Sequence, residues 1–218
     1  MLLSDSVQLV SNIRFENLTP ISAFLGQLGD PARGGLPFEE YVRRQRLHRE
    51  AEIRSMQDTV SFMEKARALY GYPHFLCDTS GSLVEVVDAA DTEDPVLAEL
   101  CGRMIFVYIR GEAADEDELV RRFGESPKPI SFEEGYLREL WDDHLAETEV
   151  AETAVDPDAF ARYAFRRLIR RRAPLYQAIA DRWGVSLAKR AVAEIEDEQA
   201  FLALIAKALD ARKGKASA

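Results

Sequence analysis

The blocks of apolar and polar positions along the chain predict many helices and a few short strands. Residues 19–29 form a compact helix signal. Thr19 caps it, Pro20 suits its first position, Ile21, Phe24, Leu25 and Leu28 share a face, and Gly29 ends it. A Gly- and Pro-rich connector follows to residue 37. Residues 38–70 keep a helical period, as one long helix or as two separated near Asp58, and Gly71 closes it. Met56, Val60, Met63 and Tyr70 make a stripe read as core rather than as a binding groove.

Residues 73–82 read Pro-His-Phe-Leu-Cys-Asp-Thr-Ser-Gly-Ser, a short apolar run that ends on Asp78 and breaks into a small-residue turn. This is the first expected strand. Residues 83–87 lean to helix behind the caps Ser80 and Ser82, and Asp94-Pro95 starts a short helix ending at Gly102. Residues 104–109 are the second strand, and their unbroken apolar run predicts burial on both faces, as in a parallel sheet. Strand, helix and strand together make a plausible right-handed crossover unit.

Further on, Asp115 caps a helix to Phe123, and Ser131 with Glu134 reads as a capping box for a helix carrying Leu137, Leu140, Trp141 and Leu145. Residues 147–155 look like a mobile acidic loop. Asp156-Pro157 opens a helix that ends before Pro174, and Pro174 opens another that ends at Gly184. Residues 185–187 are a third, short strand, and a last helix carries Phe201, Ile205 and Leu209. The pattern is that of a helix-rich α/β protein with a small parallel sheet flanked by helices. Residues 1–212 read as a single α/β domain, and residues 213–218 as a disordered tail.

Composition narrows the class. The chain has 218 residues and a net charge of -10, which argues against general nucleic-acid affinity. The charge is uneven, with bases crowded over 162–172, and this favours a small anionic ligand over a polymer. No apolar run approaches the ~20 residues of a membrane span, and the start lacks a signal-peptide pattern, so the chain reads as cytoplasmic. Cys77 and Cys101 lie in apolar surroundings and read as buried free thiols. Homo-oligomerisation stays open.

Two stretches carry candidate chemistry. In α/β proteins, sites form outside the carboxyl ends of strands. A carboxylate there, Asp78, suits Mg²⁺ held together with substrate phosphates, and the turn Thr79, Ser80, Gly81, Ser82 suits an anion. The plainer reading is a turn whose Asp and Ser bond their own backbone. In the second stretch, Arg166, Arg167, Arg170 and Arg171 fall within one ~140° arc of a helix. They form either a solvated charged face or a phosphate or carboxylate clamp, and four like charges there need acids nearby or an anionic ligand. The histidines, His48, His74 and His144, lack metal-ligand spacing. Neither Gly-x-Ser-x-Gly nor Gly-x-Gly-x-x-Gly occurs.

The order of these pieces resembles the later part of a P-loop kinase: an apolar strand, Asp-Thr-Ser-Gly-Ser, a helix, another apolar strand, a helical insertion, then Arg172-Ala173-Pro174-Leu175-Tyr176 with Ile179-Ala180. The Arg-x-Pro-Leu-Tyr run is similar to the segment after the lid in shikimate-kinase-type enzymes. The whole chain, with Ser11-Asn12-Ile13 and Leu18-Thr19-Pro20, also resembles bacterial proteins loosely described as ATPases of unassigned substrate. The resemblance implies an incomplete three-layer P-loop domain with ATP and Mg²⁺ as cofactors. It implies Asp78 in a Walker-B-like, catalytic and metal-binding role, and Thr79, Ser80, Gly81, Ser82, Arg167 and Arg171 facing the nucleotide phosphates. Arg172 would hold a small anionic substrate. Gly-x-x-x-x-Gly-Lys-Ser/Thr is absent, and the Gly214-Lys215 pair is followed by Ala. The chain is therefore expected to be the carboxyl-terminal part of a larger NTPase domain, inactive without an upstream P-loop. The alternative is a non-catalytic anion- or protein-binding helical α/β module.

Overall fold

The computed structural model describes residues 24–216. The cap at Thr19, the tripeptides at Ser11 and Leu18, and the last two residues lie outside the described residues. Phe24 and Leu25 are helical, and the turn after them comes at Gly26, at φ 66°, ahead of the expected stop at Gly29. Gly29 instead belongs to a close backbone crossing. A Cβ on Gly35 would stand 2.5 Å from the Gly29 carbonyl carbon, so this crossing needs a residue without a side chain.

Helix α1, Phe38–Tyr70, is one unbroken helix of 33 residues, without a division at Asp58. Its early residues Tyr41 and Val42 enter one apolar cluster with Leu28, Leu137, Trp141, Phe160 and Leu168. Met56, further on, enters a second cluster with Leu83, Val84, Leu97 and Ile179. Of the methionine stripe, Met56 and Val60 are buried, but Tyr70 is exposed. Gly71, at φ 66°, closes the helix by donating its N–H to the Arg67 carbonyl.

Helix α2, Pro95–Cys101, starts where expected, with Asp94 accepting from the amides of Val96 and Leu97. Strand β1, Phe106–Arg110, follows. Helix α3, Ala113–Glu125, is capped by Glu112, and Asp115 is its third residue, completing a reciprocal box with Glu112. Helix α4, Glu134–Thr148, is capped by Glu133 rather than Ser131, whose hydroxyl turns toward Glu52. The acidic stretch expected to be mobile is pinned: Val155 is buried and its carbonyl accepts the Asp30 amide at 2.7 Å.

Helix α5, Pro157–Trp183, runs straight through Pro174. The proline cannot donate to the Arg170 carbonyl, but it is exposed, so water can satisfy that oxygen. Beyond it Leu175, Tyr176 and Ile179 hold the helix on the second cluster. Strand β2, Gly184–Ala188, and helices α6, Lys189–Ala193, and α7, Glu198–Ala216, complete the chain.

The protein is thus a helix-rich α/β structure with a small parallel sheet. β1 pairs with β2 in parallel, from Phe106 opposite Gly184 to Arg110 opposite Ala188. Tyr176 of α5 stacks on Tyr108 and Phe106, and Arg212 of α7 donates to the carbonyls of Gly184 and Arg182. Three sequence expectations fail here. β1 is only half-buried and Ile109 is exposed, because among the described residues β1 has one neighbour and so keeps a free edge. The run from Phe75 to Asp78 has no strand partner among the described residues and is not a strand. A strand needs a neighbour for its N–H and C=O groups, and here Leu76 is 83% exposed. Cys77 is likewise exposed, not a buried thiol. No helix among the described residues is long and apolar enough to cross a membrane.

The first cluster contains one polar weakness. His144 is buried between the rings of Phe160 and Tyr163, and its Nδ1 has no hydrogen-bond partner among the described residues. Burial pushes this imidazole below its usual value of 6.5. Below that pH the unfolded chain binds a proton that the folded chain excludes, so stability is full above about 6.5 and falls as pH drops through and below it. The urea midpoint is expected to fall between about pH 7.5 and 5.5, and His144→Phe should reduce that fall. An equal fall in the variant would remove His144 as the cause.

Candidate functional site

The two apolar clusters meet at a buried charge. Within Leu83-Val84-Glu85-Val86-Val87 the four aliphatic residues are buried and drive the chain into a tight 3-10 turn, Ser80–Glu85, against α1 and α5. Glu85 goes in with them, and its side chain is fully shielded from solvent. Such a carboxylate persists only if cations and donors compensate for lost water. Four groups do so. Arg172 Nε donates to Oε1 at 2.8 Å, Arg171 Nη1 donates to Oε2 at 3.3 Å, and the Glu133 amide donates to Oε2 at 2.7 Å. Arg171 also reaches Glu133 at 3.5 Å and lies over the Tyr136 ring at 4.3 Å.

Arg172 is held by two contacts that leave one end of its guanidinium directed at the turn. Nε is on Glu85, and Nη2 donates to the Ser131 carbonyl at 2.9 Å. Its Nη1 lies 3.5 Å from where a Cβ on Gly81 would stand. That is ordinary van der Waals contact, so the guanidinium lies directly against the turn at Gly81.

Beside it, Glu52 of α1 accepts from Ser82 Oγ at 2.8 Å and from Ser131 Oγ at 3.5 Å. His48 Nδ1 is 3.5 Å from its Oε2, an electrostatic contact rather than a hydrogen bond. Burial raises the Glu52 carboxyl, but the His48 ring and the two hydroxyls outweigh it, and the group is held below the usual carboxylate range. Both serines donate to the Glu52 carboxylate.

The predicted site residues divide. Gly81, Ser82 and Arg172 come together, with Thr79 leading into the same turn. Asp78 is exposed on the approach to it, on an irregular segment rather than at a strand end. Arg171 serves the buried Glu85, and Arg167 donates to Glu147 at 2.9 Å while stacking over Tyr163 at 3.6 Å. Acids of the protein itself thus answer two of the four like charges on that helix. Among the described residues no three of His, Cys, Asp and Glu converge as a metal site. Asp78 offers one carboxylate, which fits Mg²⁺ only if phosphates and water complete the shell.

Glu85, Glu52, Ser131 and Glu133 are the participants the sequence reading missed. A single acid inside a four-residue aliphatic run was a legible sign of a compensated buried charge. Comparison of the chain with family models, with curated proteins and with solved structures finds no significant match.

Proposed function

We propose that the chain supplies the acceptor and lid portion of a P-loop-type ATPase or small-molecule kinase. The observation that carries this reading is the meeting of Gly81 with Arg172, since these belong to the two segments, 78–82 and 172–176, on which the resemblance rests. Leu175 and Tyr176 also pack on the cluster formed by Leu83 and Val84, which fixes the two segments side by side. The free edge of β1 and the unpaired apolar run before Asp78 support the same reading. Both suit a further strand laid alongside β1, and the phosphate-binding loop that such a protein requires would follow that strand.

In this reading Mg²⁺ with ATP supplies the phosphoryl group and its charge neutralisation. Asp78 would be the carboxylate that holds this ion, and the backbone from Thr79 to Ser82 would face the phosphate or the acceptor. Arg172, aligned by Glu85 and Ser131, holds an anionic group of the acceptor through its open edge. Arg167 and Arg171 shape the lid through Glu147, Glu85 and Glu133 instead of touching nucleotide.

The test is a thermal-shift comparison on the chain extended through its own upstream coding sequence. ATP with Mg²⁺ is expected to stabilise it by several degrees more than phosphate, citrate or sulfate at equal concentration. Equal shifts for all four, or an upstream sequence lacking Gly-x-x-x-x-Gly-Lys-Ser/Thr, would contradict the reading.

A further inference from the structure

We infer that a second site, a cleft between α3 and α5, binds a free α-amino acid with an aliphatic side chain. The inference is independent of the phosphotransfer reading and uses none of its residues. At one end the two helices are locked by the Phe123–Phe165 ring stack, 3.9 Å between centroids, and by Arg162 Nε donating to the Gly124 carbonyl at 3.0 Å. Near the other end, the ion pair of Asp115 with Lys189 fastens the start of α3 to α6. Between these fastenings lies an open cleft of ≈ 390 Å³, within the size range of small-molecule sites.

Its walls carry opposite charge. Arg166 and Arg170, one turn apart on α5, stand on one side, and Glu116, Asp117 and Arg121 of α3 stand on the other, with the Arg121 guanidinium paired to Glu118 and Glu125 of its own helix. Arg166 and Arg170 make no hydrogen bond or ion pair with any described residue. The side chains of Glu116 and Asp117 make none either. Elsewhere on these helices Arg121, Arg162, Arg167, Arg171 and Arg172 have acidic partners. Two pairs of like charges are thus left facing one another without closing the gap.

A ligand of one sign would be attracted by one wall and repelled by the other. A zwitterion satisfies both. Its carboxylate lies in the fork of Arg166 and Arg170, and its ammonium lies against Glu116 and Asp117. Val120 and Ile169, half-buried at the base of the cleft, give an apolar floor that selects an aliphatic side chain.

The test is a titration of the 218-residue chain with L-leucine, followed by backbone amide chemical shifts. L-leucine is expected to move the amides of residues 116–121 and 165–170. Arg166→Gln/Arg170→Gln and Glu116→Gln/Asp117→Asn should each weaken binding at least ~10-fold. These surface variants on two different helices keep the test valid if one of them folds poorly. 4-Methylpentanoate, which lacks the ammonium, and 3-methylbutylamine, which lacks the carboxylate, should each bind at least ~10-fold more weakly than L-leucine. The inference is overturned if L-leucine leaves these amides unmoved, if either analogue or inorganic phosphate binds as tightly, or if both variants bind like the parent.

Discussion

Replacing Glu85 with alanine is expected to cost about 3–5 kcal/mol of folding stability, read from urea denaturation. The carboxylate lies fully shielded between two apolar clusters, and its removal leaves Arg171 and Arg172 partly buried without their anion. The Glu133 amide at the start of α4 loses its acceptor as well. The large cost reflects uncompensated positive charge, not the intrinsic strength of one ion pair. Glu85→Gln, which keeps the shape and one oxygen acceptor, should therefore cost less than Glu85→Ala. A loss below about 1 kcal/mol for the alanine variant would mean that water or a shifted side chain compensates the arginines.

The second large effect belongs to Gly184, the first residue of β2. A Cβ there would lie 1.7 Å from the Phe106 carbonyl oxygen, far inside van der Waals contact, and the obstruction is backbone that cannot rotate away. Its φ of -170° is ordinary extended backbone, so the requirement is steric closeness and not a special dihedral. Gly184→Ala should separate the only strand pair among the described residues and loosen the seat of Arg212 on the Gly184 carbonyl. The expected cost is about 3 kcal/mol or more, since a two-stranded sheet has no further strand to hold it. Native-state hydrogen exchange at Val107 and Ile109 would show the opening directly. Unchanged protection there would mean that the strands shift without parting.

Much of the local structure was legible because it depends on near neighbours. Asp94-Pro95 and Asp156-Pro157 cap their helices as read, and the apolar runs that became β1 and β2 were both located. The errors share a physical cause. The run before Asp78 has strand chemistry, but a strand is completed by a partner, and no described residue supplies one. Pro174 has helix-starting chemistry, yet tertiary packing of Leu175 and Ile179 carries α5 through it. Ser131 and Glu134 match a capping box, but Ser131 turns to Glu52, 79 residues away in sequence.

The candidate site shows the same division. Periodicity placed Arg167 and Arg171 on one helix face, and charge repulsion required acids or an anion to answer them. Which acids answer them was beyond reach, because Arg171 and Glu85 are 86 positions apart. The meeting of Gly81 and Arg172 was implied by resemblance alone, and geometry now gives it a cause. Glu85 and Ser131 orient the guanidinium so that it lies against the turn at Gly81.

ATP turnover tests the phosphotransfer reading most directly, measured as phosphate release by the chain carrying its own upstream coding sequence. Asp78 is exposed, so Asp78→Ala should fold normally and yet lower turnover at least ~10²-fold. Arg172→Ala should impair acceptor-dependent turnover more than acceptor-free hydrolysis. Wild-type turnover by Asp78→Ala would remove the carboxylate from the mechanism and, with it, the kinship to phosphoryl-transfer enzymes.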